Sequence, residues 1–221
     1  MSKLRLIFVK EHQASYISHL DVMRTFQRVF PRAGLSLRHS NGFHPHPVLS
    51  IVLPLPVGQS SQCELLDFET MEDSDGAGVA AMLNTGLPAG LRVLRAYESA
   101  VKVKHLTYLQ SEVTLEYDAG VPQGAEAAIA ALFAQPEIPV EKRSKKGGMV
   151  DVDLRPLLRS LEIRKASAQE LTLDVLASAQ NPGMNPQLLV AAVTRHLPEL
   201  RPDFARIRRM EIFDEQMEVF R

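Results

Sequence analysis

The chain has 221 residues and seven histidines. Four of these, His19, His39, His44 and His46, fall between Ser18 and Pro56, together with Arg24, Arg28, Arg32 and Arg38. An imidazole holds or passes a proton near neutral pH. A guanidinium matches the two-point geometry of a phosphate. This density of both groups points to an anionic, phosphate-bearing partner, with His19 and His46 as the candidate general bases. Ser18, His19 and Asp21 have the composition of a nucleophile, a base and an orienting acid. Triad members, however, converge from distant parts of a chain, and these three are almost consecutive. Ser18 and Asp21 have the spacing of a helix N-cap and its acidic box partner, which accounts for both without chemistry. His19 is not needed for the cap, and its two readings stay open: a base or ligand-binding group, or a plain surface residue.

The loop His39-Ser40-Asn41-Gly42-Phe43-His44-Pro45-His46-Pro47 is the most unusual feature. Asn41-Gly42 allows a tight turn with positive φ, and the prolines stiffen the residues after that turn. Phe43 can stack a base of a single-stranded nucleic acid or anchor the loop on the core. His44 and His46 share a side if the segment is extended, but no carboxylate–histidine pattern accompanies them, so no metal is expected. A second basic site is the turn Glu141–Gly148, whose Lys145 and Lys146 fit either a solvated hairpin tip or one that tracks a phosphate backbone. It is not a phosphate-binding loop of the Walker type, because the glycine spacing and the Lys-Ser/Thr ending are missing.

These groups need elements to hold them. The alternation of Lys3–Lys10 predicts a strand. A helix begins at Ser18, with Val22, Met23, Phe26, Val29 and Phe30 on one stripe and Asp21, Arg24, Arg28 and Arg32 on another. Pro31 and Gly34 mark its end. Strands are predicted over Leu35–His39, Val48–Leu55, Cys63–Met71 and Leu91–Ser99, with the middle loop folding the first two into a hairpin, and a helix over Asp75–Leu87. The second half repeats this order. It has strands at Thr107–Tyr117, Glu162–Lys165, Leu171–Ala177 and Ala205–Phe213, and helices at Gly124–Ala134 and Asn185–Leu197. A hairpin lies within Ile138–Leu154 and one helical turn near Leu157–Leu161. The fold class is therefore α+β, with two tandem ferredoxin-like (split βαβ) sandwiches and antiparallel sheets. The domains span 1–103 and 104–221.

Net charge is −1, so the chain is not basic throughout. Met1–Ser50 nevertheless carries seven Lys and Arg against Glu11 and Asp21, enough to build one positive face. The single cysteine, Cys63, excludes a disulfide framework and a cysteine-ligated cluster within the chain. No cofactor is expected. With no apolar run of about 18 residues and a charged, short N-terminal apolar stretch, a cytoplasmic location is expected.

The ordered motifs SHLD-x-x-R, RAG-L, NGF-x-PHP and PLPVG-x-SS-x-x-E-x-x-D, then KKGGMVDVDLRPLL, resemble the radical-SAM-associated domain family of unknown function. The resemblance covers essentially the whole chain. It implies motif roles for His19, Asp21, Arg24, Gly42, His46, Pro56, Gly58, Glu64 and Asp67. Pro31-Arg32 stands where that family has paired arginines, and His44 where it more often has asparagine. The resemblance implies an accessory role beside a radical SAM enzyme on a separate chain, in tRNA or rRNA modification or processing. Arg24, Arg28, Arg38, Phe43, His44, Lys145 and Lys146 are the candidate RNA contacts. Two alternatives remain: a metal-independent endoribonuclease related in fold to CRISPR repeat-processing enzymes, and a protein-interaction module docking through Glu64–Asp75.

Overall fold

A computed structural model describes residues 2–99, 101–144 and 147–221. The chain divides into two compact units, Met1–His105 with Phe220–Arg221, and Leu106–Val219.

The first unit runs β1 (Ser2–Lys10), α1 (His19–Arg32), β2 (Leu49–Ile51), β3 (Ser60–Thr70), α2 (Val79–Asn84) and β4 (Leu91–Glu98). Its sheet has the order β4-β1-β3-β2, with every neighbouring pair antiparallel. Strand alternation sorts the side chains. Leu4, Leu6, Phe8, Leu66, Phe68 and Val93 meet Val22, Phe26, Val29 and Phe30 of α1 and Val79 and Leu83 of α2 in one core. The ring of Phe26 lies edge-on to Phe8 at 5.0 Å, and Phe30 is tilted against Phe68 at 4.8 Å. At the start of α1, the Asp21 N–H donates to Ser18 Oγ at 3.2 Å and the Ser18 hydroxyl donates to Asp21 Oδ2 at 2.7 Å. At its end Pro31 occupies the last turn. Gly34, at φ 75°, allows the Leu35 N–H to reach back to Phe30 O at 3.0 Å, which closes the helix.

Two expected elements are shorter than the sequence suggests. The hairpin of Leu35–His39 with Val48–Leu55 is reduced to isolated bridges, Leu37 to Thr70 and His39 to Pro47, and to the three-residue β2 on β3. Pro45, Pro47 and Pro54 have no N–H for a ladder. The available groups pair otherwise, the Arg38 N–H going to Glu69 O and the Val48 N–H to Arg38 O. The helix expected over Asp75–Leu87 shrinks to α2. Gly76 and Gly78 before it take positive φ, and a Cβ on Gly76 would meet Ala96 O at 2.7 Å.

The second unit runs β5 (Leu106–Glu116), α3 (Ala125–Phe133), β6 (Pro139–Arg143), β7 (Met149–Asp153), β8 (Leu158–Lys165), β9 (Glu170–Ser178), α4 (Gln187–His196) and β10 (Phe204–Asp214). Its sheet order is β10-β5-β9-β8, again antiparallel, and β6 and β7 form a separate hairpin. Apart from that hairpin, the two units share one element order and one strand order. The helical turn expected near Leu157–Leu161 is a single 3-10 turn, Arg155–Leu157, after which β8 begins. The core gathers Val113, Leu115, Leu173 and Val175 beneath Ile129, Leu132, Leu189 and Val193. Among the described residues, no helix is long and apolar enough to cross a membrane.

Candidate nucleic-acid interface

The antiparallel register of the first unit aligns Tyr97, Arg5, Asp67 and Ser50 in one row across β4, β1, β3 and β2. Alternation points this row away from α1 and α2, since Leu4, Leu6 and Phe68 take the helix side. Arg5 is 2% exposed and grips Asp67 with two hydrogen bonds, Nε at 2.6 Å and Nη2 at 3.0 Å. Phe220 lies over its guanidinium at 5.0 Å. In the next row Lys3 faces Glu69, and the Arg38 side chain donates to the same carboxylate. Lys3, Arg5, Asp67 and Glu69 line a cleft of about 610 Å³ that His46 and Lys102 also border.

The loop next to this cleft holds three of the seven histidines, His39, His44 and His46. Ser40 anchors it, its N–H donating to His46 O at 2.8 Å and its Oγ accepting from the His46 N–H at 3.2 Å. The same Oγ sits 2.9 Å from His46 Nδ1. The ring is thereby oriented through Nδ1, and Nε2 makes no hydrogen bond among the described residues. Gly42 has φ 128°, in the range that favours glycine. Beyond it Phe43 is 101% exposed. The alternative in which Phe43 anchors the loop on the core is therefore excluded. His44 is exposed beside it.

Of the remaining described candidates, His19, Arg24 and Arg28 lie on α1, apart from the cleft. His19 is exposed at the start of α1, on the helix-bearing side of the sheet. Arg24 donates to Asp21 at 3.0 Å, so part of its charge is answered locally. The Ser18 hydroxyl, with the Arg24 guanidinium, holds the Asp21 carboxyl below the usual carboxylate range. Arg28 is exposed and makes no ion pair among the described residues. Arg38 is half-buried against Glu69. Lys145 and Lys146 lie outside the described residues. No group of three or more His, Cys, Asp or Glu side chains is arranged to hold a metal among the described residues.

Sequence reasoning did not single out Arg5, Lys3 or Lys102, which the fold places at this cleft. The available signal was a basic residue alternating with leucines in a strand, which puts Arg5 on a sheet face rather than at an edge.

In the second unit the corresponding face carries Glu112, Thr114, Glu116, Arg164, Glu170, Thr172, Asp174 and Arg206. Arg164 bridges Glu112 at 2.6 Å and Asp174 at 3.0 Å. Arg206 bridges Glu116 at 2.8 Å and Glu170 at 2.6 Å. The charges of Arg164 and Arg206 are therefore answered within the sheet.

The chain belongs to the family described as "Uncharacterized protein conserved in bacteria (DUF2344)", whose profile matches residues 3–186. No curated protein matches it. Among solved structures, a chain of a Cbf5-Nop10-Gar1 complex is similar at 11% identity with a TM-score of 0.51, covering 96% of this chain and 50% of that one. A chain of an H/ACA RNP bound to a substrate RNA containing 2'-deoxyuridine gives 9% identity and a TM-score of 0.43, covering 92% and 46%. An unknown protein from Galdieria sulphuraria gives 12% identity and 0.29, covering 94% and 98%. The chain thus spans about half the length of the first two. The first likeness is one of fold.

Proposed function

We propose that this protein is a cytoplasmic RNA-binding accessory factor of two tandem ferredoxin-like domains, 1–103 and 104–221. It presents unpaired RNA, of tRNA or rRNA type, to a radical SAM enzyme on another chain. One observation carries the RNA reading: Phe43 is 101% exposed at the tip of a loop held by Ser40 and stiffened by Pro45 and Pro47. Leaving a phenylalanine in water forgoes about 1.5–3 kcal/mol of burial. A stacked base recovers that area, with about 1–3 kcal/mol per base as the usual yield. His44 and His46 flank the ring, and Arg28, Arg38, Lys145 and Lys146 add the sequence-independent attraction for phosphate. The radical SAM partnership rests on the resemblance of the SHLD and NGF-x-PHP motifs, and radical chemistry would reside on the partner, since this chain has one cysteine.

Filter binding to tRNA and rRNA fragments across salt tests the reading. Affinity is expected to fall steeply with salt and to drop on Phe43→Ala. Absence of binding, or binding indifferent to salt, contradicts it.

A second reading has a specific observation behind it. The contact of His46 Nδ1 with Ser40 Oγ at 2.9 Å leaves Nε2 available as a general base, as a metal-independent ribonuclease requires. RNA cleavage abolished by His46→Ala would select this reading, and His19→Ala tests the other candidate base. A docking module acting through Glu64–Asp75 would present Glu72, Asp73 and Asp75, since Glu64 is 2% exposed and Asp67 and Glu69 are held by Arg5 and Arg38.

A further inference from the structure

The outermost strand of a sheet has a row of backbone N–H and C=O groups with no neighbour, and folded proteins usually cover or interrupt such an edge. The first unit covers its outer strand β4. There the Val93 N–H donates to Asn84 Oδ1 and the Val93 carbonyl accepts from Asn84 Nδ2, both at 2.8 Å. The second unit leaves β8 open. In that sheet β8 pairs with β9 alone. It is eight residues long and contains no proline. Its one register shift lies at its start, between Leu158 and Ser160, and Ser160–Lys165 runs regularly along β9. Among the described residues, no group outside β9 hydrogen-bonds to the backbone of Ser160–Lys165.

A groove lies beside this edge. Between α3 and β8 is a cleft of about 610 Å³, with Ala130, Phe133, Leu161 and Ile163 as its apolar lining. Leu161 and Ile163 face the core side and stay only partly buried. An open edge next to an apolar groove suits an extended peptide. The peptide backbone pairs with the edge, and alternate side chains enter the groove.

Charge narrows the kind of peptide. Arg155 lines the cleft and makes no ion pair among the described residues. Arg159 turns to the other side of the sheet, where it lies over the Tyr108 ring at 4.9 Å and donates to its hydroxyl at 3.2 Å, with no carboxylate partner. Glu126 is the one acidic residue lining the cleft. A second copy of β8 is a poor occupant. Two such strands paired antiparallel about their midpoint would set Arg159 opposite Arg164, and like charges directly opposite repel.

We propose that β8 and its groove dock an extended segment of a partner protein in which apolar and acidic residues alternate. The segment adds to the sheet beside β8, its apolar side chains enter the groove, and its carboxylates meet Arg155 and Arg159. This goes beyond the RNA reading and involves the other unit.

Panning a displayed library of short random peptides against the full chain, then measuring a synthesised winner by fluorescence anisotropy, tests the proposal. Winners are expected to alternate apolar residues with Asp or Glu. N-methylation of alternate peptide amides should weaken binding about tenfold or more at the positions that pair with β8 and little at those between. Ala130→Arg, which fills the groove from an exposed position of α3, and Arg155→Glu/Arg159→Glu should each weaken it as much without shifting thermal unfolding. Hydrogen exchange should slow in β8 when the peptide is bound. Phe43→Ala should leave the peptide affinity unchanged. No enriched peptide, winners without acidic residues, binding indifferent to Ala130→Arg, or no slowing in β8 overturns the proposal. So does a dimer in light scattering whose formation slows exchange in β8, which assigns the edge to a second copy. Each of these results can occur while RNA binding through Phe43 stands.

Discussion

In the first unit, the sheet face turned from the helices carries one deeply buried arginine, Arg5, matched to the single carboxylate Asp67 beside a cleft that Lys3 and Lys102 border. In the second unit, the same face carries Arg164 and Arg206, each shared between two carboxylates. Strand order and helix placement are common to both, so topology does not set this difference. Its source is which residues fall on the outward positions of equivalent strands. Where Arg164 and Arg206 each meet two carboxylates, their charge is answered locally. Where Arg5 and Arg38 each meet one carboxylate, the charge is matched singly. The loops diverge in the same sense. The first unit inserts an exposed aromatic and two histidines before β2, and the second inserts a hairpin before β8.

The largest effect expected from this contrast is on stability. Arg5→Ala leaves Asp67 without its partner in a partly buried site. It should destabilise by about 3 kcal/mol or more, read by urea unfolding. Arg164→Ala removes a half-exposed side chain and should cost far less, as exposed ion pairs do. Similar losses for the two would break the distinction between a buried anchor and a surface ion-pair network.

Next in size is RNA affinity. Phe43→Ala should weaken it by about 1–3 kcal/mol and leave the unfolding temperature unchanged, since the ring buries nothing. Arg206→Ala, measured in the same assay, should leave RNA affinity unchanged, because two glutamates already hold that charge.

Helix starts give a smaller test. Ser18→Ala should lower stability by about 1 kcal/mol, whereas α3 begins after Gly124 with no side-chain cap and has no equivalent bond to lose.

The tyrosine of the second core adds a pH test. The Tyr117 hydroxyl donates to Leu200 O at 3.0 Å, and burial pushes its phenol up to about 12 from 10.0. The folded state favours the protonated form. That contribution is complete below pH about 10 and is lost as pH rises through about 12. Chemical denaturation of wild type and Tyr117→Phe across that interval should show a decline that the variant lacks.

Local features of the sequence carried the helices and strands well. Ser18, Asp21 and Gly34 mark α1 because capping depends on residues three or four apart, and the alternation of Lys3–Lys10 marks β1. The abundance of proline around Pro45–Pro56 was visible, but its consequence, a three-residue β2, depends on which backbone groups find partners on β3. The charge balance was the least legible part. Arg206 is neutralised by Glu116 and Glu170, and Arg5 is anchored by Asp67, through pairings that only the sheet register creates. The exposure of Phe43 is likewise a tertiary outcome, since the same residue type in the same loop fits a core anchor.

Ultraviolet crosslinking of a single-stranded RNA to the full chain, with mass spectrometric mapping of the adducts, tests the stacking loop most directly. A crosslink on Phe43 within the segment 39–48, lost in Phe43→Ala, is the result this account predicts. Crosslinks confined to the second unit, or none at RNA concentrations that saturate filter binding, would contradict it.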